Sequence, residues 1–201
     1  MTTRFFQTVF TPAVKAAQTV YGSRGPYARH DDIPTEPDRL TDTEIAFIAE
    51  RDSFYLATVN ESGWPYVQFR GGAPGFVKVL DERGFGFPDF RGNRQYVSVG
   101  NASADNRAAF FFMDYPNRTR LKLLGRLTVV AVAEAPDLAD RLIDPDYRAK
   151  VERLITVEVE AFDWNCPQHI TPRFTATDIA PSFEALKARI AELEAELARR
   201  Q

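Results

Sequence analysis

A chain of 201 residues with 44% hydrophobic and 26% charged side chains is long enough for one sizeable core and tight for two domains of ordinary size. Its formal charge of −3, with no nucleic-acid motif, argues against a nucleic-acid partner, and no run reaches the ~20 apolar residues of a membrane span. The single cysteine, Cys166, excludes an internal disulfide framework and fits a reducing compartment, and with only His30 and His169 beside it a structural zinc site is unexpected.

Residues 1–40 read as an N-terminal appendage. Gln7, Thr8, Thr11, Pro12 and Lys15 break the aromatic start before a signal-peptide core can form, so a cytoplasmic protein is expected. A short helix is predicted from Pro12 to Val20, followed by the Gly/Pro/Arg-rich stretch 21–39, which has no apolar period and reads as an extended arm. Thr41 with Glu44 three residues on is a capping box, and Ile45, Ile48 and Ala49 supply the apolar face of the helix it opens.

Seven β-rich runs follow at 54–60, 65–71, 76–81, 84–87, 107–113, 121–133 and 154–162, with hairpin-like turns at 61–63 and 81–84. Strands that succeed one another without intervening helices predict an antiparallel sheet or barrel. Short helices are expected near 136–143 and 146–152. At the end Phe183, Leu186, Ile190, Leu193 and Leu197 recur at spacings of three and four, the seam of an amphipathic helix starting near Pro181, suited to pairing with another subunit or to packing on its own domain.

Residues 66–126 hold ten basic side chains against five acidic ones, a local charge of +5 that leaves −8 for the rest. Exposed strand charges would account for this, as would an anion held in a cleft, for which phosphate is the natural candidate. Position favours the second: Arg70 ends a strand, Lys78 sits in one, and the loop 89–94 places Arg91, Asn93 and Arg94 beside Gly92.

These segments resemble the pyridoxamine 5′-phosphate oxidase-like flavin-binding proteins over about residues 41–175. The resemblance rests on FYLATVNESGWPYVQFR, on KVLDERGFGF, on the GNR turn and on RTRLKLLGRL. It implies a mainly β fold, an antiparallel, Greek-key-like split β-barrel over 41–180 with peripheral short helices and a C-terminal helix at 181–201. The implied cofactor is FMN, bound between the chains of a homodimer.

Residue by residue, the resemblance carries flavin-phosphate contacts onto Arg70, Lys78 with its neighbour Val77, and Arg94. Asn93 and Gln95 stand where the oxidase has serine and lysine, and Pro88 and Asp89 replace a tyrosine–threonine pair. Arg120 falls where a flavin-contacting glutamine would be, and a cation there would favour the anionic reduced ring. Trp164 and Arg173 resemble residues that approach the flavin from the second subunit. Gln68 shares the face of Arg70 and joins the candidates.

The departures point to a divergent, flavin-nucleotide-binding member acting on an unidentified small molecule, with NADH or NADPH as candidate reductant. No general base is evident, which fits hydride transfer and equally a non-catalytic carrier or redox sensor. The same fold with deazaflavin or haem is a further alternative. Cys166 and His169, three apart, would be a nucleophile and base only if a third group oriented them.

Overall fold

The computed structural model describes residues 2–164 and 167–200. Residues 2–113 with 120–164 form one compact unit, and 114–119 with 167–200 form a second.

The larger unit is built on strands β1 (Ser53–Val59), β2 (Pro65–Gly71), β3 (Lys78–Asp81), β4 (Gly84–Phe90), β5 (Arg107–Asp114), β6 (Thr119–Ala131) and β7 (Val151–Trp164). They form one antiparallel sheet in the order β2-β1-β5-β6-β7-β4-β3, the split-barrel fold. All seven runs expected from the sequence are strands. The fourteen-residue β7 pairs with β6 along nearly its whole length and with β4 over its first half, so it joins the two halves of the sheet.

Alternation explains the core. Phe54 and Leu56 of β1 point inward opposite Phe112 and Phe110 of β5, and all four are at most 1% exposed. Phe85 and Phe87 of β4 and Phe76 complete an aromatic centre whose ring centroids lie 5.0–5.9 Å apart, at separations where tilted and edge-on rings attract. Leu121, Leu123 and Leu127 of β6 and Ile155, Val157 and Val159 of β7 close it.

Around the sheet lie α1 (Thr3–Val9), α2 (Pro12–Val20), α3 (Arg24–Ala28), α4 (Asp42–Ala49), α5 (Val97–Ala104), the 3₁₀ turn Val132–Glu134 and α6 (Pro136–Leu142). The capping box is present: the Glu44 carboxylate accepts the Thr41 backbone N–H at 2.9 Å and buries Ile48 behind it.

Two sequence expectations are corrected. The helix expected near 146–152 is absent; a turn there leads into β7 at Val151, because Arg153 and Leu154 are claimed by the ladders to β4 and β6. The N-terminal appendage is more helical than expected: α1 buries Phe5 and Phe6 against Ala161, and α3 interrupts the arm. The arm also has a local partner, since the Asp38 backbone N–H donates to the Glu160 carbonyl, its carboxylate accepts from Phe162 N–H, and Leu40 N–H donates to Glu82. Helix α5 has no counterpart in the sequence reading, for VSVGNASA carries no apolar stripe.

In the smaller unit, the Asp114 carboxylate accepts the backbone and side-chain N–H of Asn117 at 3.0 Å each. Helix α7 (Ala176–Arg200) starts five residues before Pro181, because Thr175 and Asp178 cap its first turn reciprocally. It is exposed along its whole length.

Candidate functional site

The ends of β2 and β4, the 91–96 loop, the start of α5 and the start of β7 enclose a pocket of about 50 Å³. Five of the residues singled out in the sequence meet there: Gln68, Arg70, Asn93, Arg94 and Gln95. On β2 the period of two brings Gln68 and Arg70 to the pocket and leaves Val67 and Phe69 exposed on the other face.

The loop is shaped by two non-glycine residues in the left-handed region, Arg94 at φ 62° and Tyr96 at φ 54°. Each such conformation costs about 1–3 kcal/mol and persists only where the surroundings enforce it. Here Asn93 Oδ1 accepts the Gln95 N–H at 3.1 Å, and Tyr96 Oη accepts from Arg94 Nε at 3.1 Å. The tyrosine ring lies 4.6 Å from the Arg153 guanidinium.

Four guanidinium groups gather at this end of the sheet, those of Arg70, Arg91, Arg94 and Arg153, against the carboxylates of Asp89 and Glu152. Asp89, 3% exposed, holds both Arg70 and Arg153, the latter through Nε at 2.8 Å. Glu152 accepts from Arg91 Nε at 2.7 Å and from Arg153 at 3.1 Å. The Arg91 bond, with help from Tyr96 and Arg153, holds the Glu152 carboxyl below the usual carboxylate range in spite of partial burial. Burial disfavours the Arg153 charge, but Asp89, Glu152 and Tyr96 outweigh it and raise its affinity for the proton.

The cluster therefore stays net positive by two charges at neutral pH. Arg70 Nε is buried there without a hydrogen-bond partner, a costly arrangement that an acceptor oxygen would relieve. Val97, Ser98 and Val99 at the start of α5 also line the pocket, so the partial positive charge of a helix N-terminus adds to it. Ser98 Oγ donates to Gln68 Oε1 at 2.9 Å and Asn101 Nδ2 to Thr58 Oγ1 at 2.9 Å, which ties this helix to β1 and β2. A small tetrahedral dianion matches these donors.

The remaining candidates lie elsewhere. Val77, 1% exposed, belongs to the core, and Lys78 is exposed at the start of β3, opposite Gly86. Arg120 is at the start of β6 with its guanidinium 5.7 Å from the Phe111 ring centre. Trp164 Nε1 donates to Glu44 Oε1 at 2.6 Å and its ring stands edge-on to Phe47, a packing role for the capped helix α4. Arg173 stands in the smaller unit, 4.9 Å from the Tyr115 ring centre. His169, in the left-handed region at φ 62°, lies there too, and Cys166 lies outside the described residues.

Sequence reasoning missed Asp89, Glu152, Arg153, Tyr96 and the start of α5. The substitution of an acid at position 89 was visible; its two arginine partners were not, because Arg153 fell between the expected helix at 146–152 and the expected strand at 154–162 and carried no pattern of its own.

A family model described as pyridoxamine 5′-phosphate oxidase matches residues 40–194. The chain belongs to the pyridoxamine 5′-phosphate oxidase family. Solved structures of similar fold include HupZ from Group A Streptococcus, at 14% identity and a TM-score of 0.47 over 67% of this chain and 100% of that one. An FMN-binding protein from Syntrophomonas wolfei is similar at 13% identity and a TM-score of 0.46, over 60% and 81%. An F420 reductase is similar at 24% identity and a TM-score of 0.39, over 58% and 93%. No curated protein matches the chain. Among the described helices none is long and apolar enough to cross a membrane.

Proposed function

We propose that this family member binds FMN, with the flavin phosphate in the Arg70–Arg94 pocket, and acts as an FMN-dependent oxidoreductase on a small molecule. The observation that carries the reading is the net-positive pocket with an unpartnered, buried Arg70 Nε, in a chain whose family model covers the whole split barrel. Arg94 and Arg70 would hold the phosphate oxygens, and Asp89 would hold Arg70 in position. Bound flavin supplies the hydride chemistry; the chain supplies placement and charge.

The reading includes a homodimer. The outer face of β2-β1-β5-β6 supports it: Val67 and Phe69 are about 60% exposed, Val67 borders an apolar groove of about 340 Å³ with Tyr55, Ala57, Ala109, Phe111 and Leu124, and the Phe69 ring stands edge-on to Tyr55. That groove shares Ala57, Ala109 and Leu124 with a larger one of about 680 Å³ beside α1, so an apolar strip runs across the face. It also includes a cytosolic location, supported by the single cysteine.

The experiment is an absorption spectrum of the purified protein and after addition of FMN, followed by anaerobic NADH and NADPH. Bands near ~450 nm that bleach with nicotinamide support an oxidoreductase. Bands that no reductant bleaches support a carrier or sensor, and a different chromophore, deazaflavin or haem, would replace FMN in the reading. A colourless protein that ignores FMN would sink it.

A further inference from the structure

Helix α7 leaves an apolar seam uncovered. Phe183, Leu186, Ile190, Leu193 and Leu197 are each 46–63% exposed, and their spacing keeps them on one face of a helix that pairs with another. With Phe183, Ile190 and Leu197 as the first core position of each heptad and Leu186 and Leu193 as the second, the flanking positions are segregated by charge. Lys187 and Arg189 flank the first half of the seam, and Glu194 and Glu196 flank the second.

That segregation selects both the occupant and its direction. We propose that α7 pairs antiparallel with α7 of a second copy of this chain, about a twofold axis passing between Ala191 and Glu192. Ile190 then faces the partner's Leu193, and Leu186 faces the partner's Leu197; by symmetry this makes four apolar layers. Lys187 meets the partner's Glu194 and Arg189 the partner's Glu196, again twice each, so basic halves lie on acidic halves. Each end closes with Phe183 under the partner's Arg200, a cation over an aromatic ring.

A parallel, in-register pair is poorer. It matches Arg189 only with the partner's Glu194, two pairs in place of four, and it sets the two basic halves side by side with helix dipoles aligned. Existing contacts do not compete strongly: Lys187 with Glu184 and Arg189 with Glu192 are exposed pairs within one helix, of the kind that contributes little. The pairing uses no part of the phosphate pocket and stands apart from the flavin reading.

The test uses the full chain with Cys166→Ser, so that introduced thiols act alone. Ile190→Cys and Leu193→Cys are made separately, one carrying a mass tag, and oxidised singly and as an equal mixture before a non-reducing denaturing gel. Antiparallel pairing yields the mixed disulfide at least fivefold above either self-linked product. A strong Ile190→Cys self-link would show a parallel pair, and no cross-link with titratable thiols would show no pair; either overturns the proposal. Lys187→Glu with Arg189→Glu on both partners should lower the mixed product at least fivefold, and adding Glu194→Lys with Glu196→Lys on both should restore it. An unchanged yield would remove the charge basis. Both cysteine positions are exposed, so circular dichroism should show the fold intact.

Discussion

Asp89 shows how much one substitution can set. Its carboxylate anchors Arg70 from β2 and Arg153 from β7, and a neutral residue there would leave two guanidinium groups to repel each other. Arg94, by contrast, donates from Nε to the Tyr96 hydroxyl oxygen rather than to a carboxylate. Arg94→Ala should therefore weaken FMN binding by ~1.5–3 kcal/mol, roughly ten- to hundredfold, in a fluorescence titration, while thermal stability stays close to that of the parent. Full affinity in the variant would remove Arg94 from the phosphate site. Glu44 is the matching case for stability. Burial opposes its charge, but bonds from the Thr41 hydroxyl and backbone and from Trp164 outweigh this and hold its carboxyl below the usual range. The unfolded chain binds that proton more tightly, so the stabilisation is present above about pH 4.5 and fades as pH falls through the lower folded value. Glu44→Gln should cost ~1–2 kcal/mol at neutral pH. It should also flatten the acid limb of stability in denaturant titrations between pH 6 and 3; an equally steep limb would assign the acid sensitivity to other carboxylates.

At the scale of elements, β7 organises the molecule. A bulge between Leu124 and Gly125 shifts its register with β6, so that Gly125 lies opposite Val159 while Leu124 lies opposite Ala161. Gly125 is required there by space: a Cβ would come within 2.6 Å of the Glu158 carbonyl oxygen and 2.7 Å of the Val157 side chain. Backbone cannot yield as a side-chain tip can, so Gly125→Ala should lower stability by about 1–3 kcal/mol in chemical denaturation. The same variant should weaken flavin retention, because β7 carries Arg153 to the pocket. Helix α5 illustrates the opposite case. It lacks an amphipathic stripe and is held by polar bonds from Ser98 and Asn101 to the strands beneath it.

For the whole molecule, the outer face of the sheet decides assembly. Phe69→Glu places a charge at a site 60% exposed in the single chain, so the fold should survive. If that face joins two copies, the variant made together with Lys187→Glu and Arg189→Glu, which remove the α7 pairing, sediments as a monomer at concentrations where the chain carrying those two changes alone is a dimer, and it loses flavin on dilution more readily. In that background a variant that remains dimeric would move the interface off this face, because the α7 pairing has been removed separately. Charge is distributed on the same plan. The basic excess of residues 66–126 is spent unevenly: Arg70 and Arg91 go to carboxylates of the pocket end, Lys122 to Asp163, Arg107 to Asp105, which it holds down at about 2.

All seven strands, the capped helix at 42–49 and the seam of the last helix were legible in the chain, because each depends on a period of two or of 3.6 or on a cap three residues long. The motif around Arg70 and Arg94 likewise pointed to the family and to half of the pocket. What the tertiary structure alone decided were meetings across long separations: Asp89 with Arg153, Glu44 with Trp164, Phe6 with Ala161, and the start of α5 beside Gln68. Local sequence carries the direction in which a side chain leaves its strand. Which other side chain it meets is set by strand order and register, and those follow from closing the whole sheet around one aromatic core.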